Sequence, residues 1–130
     1  MLQIRYHPAF KSADTLLFAG SQDDIARLRH FFLNWKGEEI DLIEILQAQE
    51  KLYVFSVTEL HLGSAAKGSI FKWRDDKGTW LISKEYLEQM IGLLDGLLES
   101  SKPGHQYFDV SGSPVQIMIA KDEYPLPQPN

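Results

Sequence analysis

The sequence predicts an α+β protein in which a mostly antiparallel β-sheet packs against two main amphipathic helices. Three observations carry that expectation. SQDDIARLRHFFLNW and SKEYLEQMIGLLDGLLES both repeat apolar residues at helical spacing behind a serine. SIFKWRDDKGTWLIS sets two aromatic-rich runs on either side of turn residues. Near the end, Val115, Ile117 and Ile119 alternate with Gln116, Met118 and Ala120, the period of a strand. A sheet of about six to eight strands is expected.

Taken in order, LQIRYHP reads as a short first strand stopped by Pro8, which cannot donate to a ladder. KSAD is a turn, and TLLFAG a second strand closed by Gly20. The first helix opens at Ser21, an N-cap with Asp24 three residues on as an imperfect capping-box partner, aspartate standing where glutamate or glutamine is usual. Asp23 and Asp24 lie in the first turn, where the helix dipole favours anions. Ile25, Leu28, Phe32 and Trp35 form its buried face, and Gly37 ends it. Glu38 to Leu46 reads as a strand, being short, isoleucine-rich and preceded by glycine; a helix is the alternative. KLYVFSVTELHL reads as one strand and GSAAKG as a loop. The hairpin turn is read at Asp75-Asp76-Lys77-Gly78, with Gly78 able to take positive φ.

The second helix is capped by Ser83 and carries a stripe of Leu87, Met90, Ile91, Leu94, Leu97 and Leu98. Gly92 and Gly96 suggest that it approaches another element closely. The stretch GHQYFDVSGSPVQIMIAKDEYP then reads as a final hairpin turning at Ser-Gly-Ser-Pro. His105, Tyr107 and Asp109 share one face of it, and Gln106, Phe108 and Val110 the other. Residues 1–124 are read as one domain and 125–130, with three prolines, as a flexible tail. The expected core includes Leu28, Phe32, Phe55, Leu87, Ile91, Leu94 and Leu98. A strand leading through a serine into a helix, then two strands, occurs in both halves as a shared plan without matching residue identities.

At 130 residues, 44% of them hydrophobic, the chain can bury a single core. It has no cysteine, which removes disulfides and thiol catalysis and fits a cytoplasmic protein. The opening MLQIRYHPAF lacks the pattern of a signal peptide, and no apolar run reaches the ~20 residues that span a bilayer. The net charge of −5 disfavours direct nucleic-acid binding and favours a basic protein partner.

Catalytic patterns are weak. His105 and Asp109 would lie roughly 13 Å apart along a strand, too far to bond. His7, His30, His61 and His105 show no metal-binding spacing, so no metal or cofactor is expected. Ser111-Gly-Ser113 is no nucleophile elbow, and Gly63 to Gly68 lacks the glycine spacing and Lys-Ser/Thr ending of a phosphate loop. The stronger signal is acidic. Glu38, Glu39, Asp41, Glu44 and Glu50 follow one another with no intervening base, and Asp122 and Glu123 form a second acidic pair. Glu38, Glu39, Asp41, Glu44, Asp122 and Glu123 are the candidate partner-binding residues, because an acidic field speeds association with a basic surface.

The helix YLEQMIGLLDGLL leading into GHQYFDV and then VQIMIAKDEY resembles a pattern in small immunity proteins of bacterial polymorphic toxin and contact-dependent inhibition systems. The resemblance spans Trp80 to Tyr124, and FAGSQDDIARLRHFF offers a parallel cue in the first half. It implies a cytosolic, non-enzymatic protein that binds a toxin domain and covers its active site or substrate surface. It transfers no binding residues. An adaptor module or a small α+β enzyme are the other readings.

Overall fold

A computed structural model describes residues 1–126. The fold is α+β, with nine strands and three helices among those residues. The strands form two mixed sheets where one was expected. The five-stranded sheet is built on the hairpin of β1 (Leu2–Phe10) and β2 (Ala13–Gly20). β4 (Leu52–Phe55) adds to β1 in parallel, β9 (Gln116–Lys121) adds to β2 in parallel, and β8 (Gly104–Phe108) pairs antiparallel with β9. The four-stranded sheet has the order β3 (Ile40–Asp41), β5 (Glu59–Ser64), β7 (Lys77–Ile82), β6 (Ser69–Arg74). Helices α1 (Gln22–Asn34) and α3 (Lys84–Glu99) pack on each other and reach β2 and β8, while α2 (Leu42–Gln49) rests on β5. No helix among the described residues is long and apolar enough to cross a membrane.

Aromatic rings join the two sheets. Tyr6 of β1 stacks on Trp73 of β6 at 3.9 Å, and Trp80 of β7 contacts Phe18 and Phe108 at 6.4 and 6.0 Å. Trp80 is fully buried, and its indole N–H donates to the Ser69 hydroxyl at 2.7 Å. Phe32 of α1 meets the same indole edge-on. Beyond β8, Ser111 exchanges backbone hydrogen bonds with Ser69 and Phe71, tying the last hairpin to the edge of the other sheet.

The helix caps follow the sequence closely. Ser21 and Asp24 form a complete capping box, and the Ser83 hydroxyl accepts the Tyr86 N–H. Leu28, Phe32 and Leu94 are buried; Leu87, Ile91 and Leu98 are half-buried against the core.

Several local expectations are overturned. Pro8 does not stop β1: the strand continues to Phe10 through a register shift in which Ala9 takes φ 53° and donates its N–H to Asp14. A bulge needs no ladder donor at that position, so proline is tolerated. Glu38 to Leu46 is mainly helix, because the Asp41 side chain caps the Ile43 N–H and Leu42, Ile43 and Leu46 turn to the core. KLYVFSVTELHL is two strands in different sheets, broken at Ser56 with φ 58°. Phe55 is therefore 49% exposed on an edge strand. In the β6–β7 hairpin, Asp75 and Asp76 carry the positive φ; at Gly78 a Cβ would meet Leu60 and Phe71 at 3.0 Å, so close packing selects the glycine. Gly92 and Gly96 face open space, with no element approaching them. Of the tail expected at 125–130, Pro125 and Leu126 are described, and 127–130 lie outside the described residues.

Candidate functional site

The acidic candidates occupy two places. Glu38 and Glu39 are exposed in the segment entering α2, and Glu44 is exposed in its first turn. Asp41 lies among them in a structural position: its Oδ1 accepts the N–H of Ile43 at 3.1 Å and of Leu60 at 3.2 Å. The segment is held by Trp35, whose indole N–H donates to the Glu38 carbonyl at 2.9 Å. None of these four carboxylates forms an ion pair among the described residues, whereas Asp24, Glu50, Glu59, Asp95 and Glu123 all do. Asp122 and Glu123 follow β9, in the five-stranded sheet, rather than α2. Asp122 is exposed, while Glu123 is half-buried and bonded to His105 Nδ1 at 2.8 Å. Glu123, and not Asp109, is thus the acid that meets His105.

A denser cluster escaped the sequence. Donor atoms of Asp41, Glu59 and His61 lie within 4.8 Å of one another, because β3 and β5 place Asp41 opposite His61 and Glu59 is two residues away on the same face. Glu59-x-His61 was the available sequence signal. Such a set could ligate a divalent ion. Here Glu59 Oε2 meets Lys77 Nζ at 2.9 Å and Oε1 meets His61 Nε2 at 3.0 Å. The Lys77 hydrogen bond, then that of His61, holds the Glu59 carboxyl below its ordinary range, and Glu59 in turn raises Lys77. The arrangement is a cross-strand charge ladder.

At the junction of β2 and α1, Asp24 is 2% exposed. It accepts hydrogen bonds from the Ser21 N–H at 2.9 Å, the Ser21 hydroxyl at 3.0 Å and the Met1 ammonium at 3.2 Å. Burial pushes its carboxyl up, but these donors outweigh burial and hold it below the ordinary value.

The outer face of the five-stranded sheet is the least expected surface. Leu17, Ala19, Met118 and Ala120 are fully covered there, with Phe10 and Tyr124 packed on them. Arg5 and His7 of β1 and Tyr53 and Phe55 of β4 share that face by strand alternation and register. The Gln3 side chain donates to the Tyr124 carbonyl at 2.7 Å and fastens the chain beyond β9 to it. Burial, then the neighbouring Arg5 charge, lowers the His7 pKa. The alternation of LQIRYHP displayed the polar face; the neighbour that completes it, β4, comes from a distant part of the chain.

Comparison of the chain with protein-family models, curated proteins and solved structures finds no match.

Proposed function

We propose that this chain is a non-enzymatic protein-binding domain of the immunity type, which neutralises a bacterial toxin domain by covering it. The observation that carries the reading is the exposed acidic segment Glu38, Glu39 and Glu44, unpaired among the described residues and held against α1 by Trp35. Glu38 accepts the Lys36 N–H at 3.1 Å, yet all three carboxylates lack a counter-charge among the described residues, which leaves their charge to a basic surface, where it raises the association rate and selects against acidic competitors. The resemblance of Trp80 to Tyr124 to immunity proteins supplies the toxin as the kind of partner. Cytoplasmic residence and the absence of nucleic-acid binding belong to the same proposal.

The test is co-expression. The C-terminal domain of the protein encoded immediately upstream is expressed alone and together with this chain. Growth arrest relieved by co-expression supports the reading, and arrest that persists despite soluble expression of this chain rejects it. With the partner in hand, reversing Glu38, Glu39 and Glu44 to lysine slows association about 10-fold or more and flattens its salt dependence. An unchanged association rate removes the acidic segment from the interface.

A second reading, an adaptor that binds extended peptides, is favoured by β4 and β8, the two outer strands of the five-stranded sheet. It calls for a host protein partner and no growth protection.

A further inference from the structure

Arg5 is a half-buried cation that the rest of the molecule does not answer. It lies in β1, one strand in from the sheet edge, with Leu17 and Phe55 as its register partners on either side. Leu17 is fully buried and Phe55 is 49% exposed, so in register Arg5 lies between a covered apolar strand and an open aromatic residue. Its Nε is enclosed and meets no acceptor among the described residues. Nor does Arg5 form an ion pair among them, although the chain carries 18 acids against 13 bases. A cation that is partly desolvated at Nε and has no counter-charge is less favourable than one that is paired, and binding an anion offsets that cost.

We propose that Arg5 and Phe55 form a subsite for a carboxylate carried on a flat apolar body. The planar guanidinium matches a carboxylate through paired N–H donors, which a lysine cannot reproduce. The Phe55 ring is stacked on the His7 ring at 6.3 Å, which backs one side of it and leaves the rest to solvent. A flat group seated there lies beside the guanidinium, because Arg5 and Phe55 are register partners. Burial holds Arg5 below its ordinary range, and the Tyr53 and Tyr124 phenols nearby oppose that effect. The shared chemistry has two sources: a free aryl acid, or a polypeptide C-terminus beside an aromatic side chain. This inference stands apart from the toxin reading and uses none of its acidic residues.

The experiment is an NMR titration of the full chain with sodium benzoate, N-acetylphenylalanine and acetate at constant ionic strength. Saturable shifts confined to β1, β4, Tyr124 and the Arg5 Nε–H are expected, with a Kd on the order of 1 mM for the better aryl ligand. Acetate should bind about 10-fold more weakly. Tighter binding of benzoate identifies a free acid, and tighter binding of N-acetylphenylalanine a chain end. Arg5→Met should abolish the response. Arg5→Lys, which keeps the charge, should weaken it about 10-fold, and Phe55→Ala should bring the aryl ligands to the level of acetate. Binding that survives Arg5→Met in a folded variant, or shifts that track exposed lysines without saturating, overturns the proposal.

Discussion

On the four-stranded sheet, Lys77 and Glu59 face solvent on neighbouring strands and meet at 2.9 Å. On the five-stranded sheet, Lys121 is fully buried and donates to the carbonyls of Leu97, at 3.0 Å, and Ser100, while Arg5 is half-buried without an acid among the described residues. The difference follows from how many faces each sheet covers. Along β5 and β7, buried Leu60, Leu62, Gly78 and Trp80 alternate with solvent-facing Glu59, His61, Lys77 and Thr79. In β2 and β9, Leu16 to Ala19 and Ile117 to Lys121 are buried without interruption, as expected for central strands covered on both faces. A charge on the first sheet stays in water and needs little from its neighbour. A charge on the second loses water and must find a partner in the fold or outside it.

The largest break in this comparison is expected at Lys121. Its ammonium serves the carbonyls at the end of α3, where a helix dipole favours a cation. Lys121→Ala should cost about 3–5 kcal/mol in denaturant unfolding, through two unserved carbonyls and a lost stem. That places it beside Leu94→Ala, a plain cavity at a fully buried site, expected to cost ~2–5 kcal/mol. A loss below ~1 kcal/mol at Lys121 would show that water takes over the carbonyls readily.

Asp24 is a buried anion, at the junction of β2 and α1. Asp24→Asn should cost about 0.5–2 kcal/mol at neutral pH through the cap of α1. The sign of its pH dependence follows from its depressed folded pKa. The carboxylate contributes stability above the ordinary value of 3.8, and that contribution is lost as pH falls through the lower folded pKa. The gap between the original chain and the Asn variant should therefore narrow below about pH 4. A constant gap across acid titration melts would assign the cost to geometry alone.

Arg5→Met sharpens the contrast with Lys121, because removing an unanswered charge should leave stability unchanged or raise it by about 1 kcal/mol. A clear loss would mean that the guanidinium has a partner. The smallest effect is expected for Lys77→Ala. Its pairing with Glu59 is exposed and screened, so the midpoint shift should be small at low salt and vanish at high salt. A salt-independent shift would indicate that the ladder of Glu59, His61 and Lys77 is more than surface pairing.

Much of the fold was legible because its signals are local. Ser21 with Asp24, Ser83, the α3 stripe and the β6–β7 hairpin each depend on residues within a few positions of one another. The errors arose where a local signal met a distant partner. In isoleucine-rich EEIDLIEIL only Ile40 and Asp41 form a strand, and Leu42 to Leu46 turn helical because the Asp41 cap and the packing of Leu42, Ile43 and Leu46 outweighed β propensity. KLYVFSVTELHL broke because each half pairs with a different sheet, and no alternation within the stretch reports that. The acids of the candidate surface were visible as residues. Their division was not: Asp41 turned to capping and Glu123 to His105, leaving Glu38, Glu39 and Glu44 without ion pairs among the described residues.

By itself the sequence determined the α+β class, both serine-capped helices, the last two hairpins and an acidic, cysteine-free composition, because each follows from spacing, capping chemistry or residue counts. Only the tertiary structure decided that there are two sheets, that Lys121 is buried, that Glu59 and His61 meet Asp41, and that Arg5 lies beside Phe55. Those outcomes depend on which strands become neighbours. Parallel pairing of β1 with β4 and of β2 with β9 joins segments far apart in the chain, and a strand's own residues encode its two faces but not the identity of its neighbour.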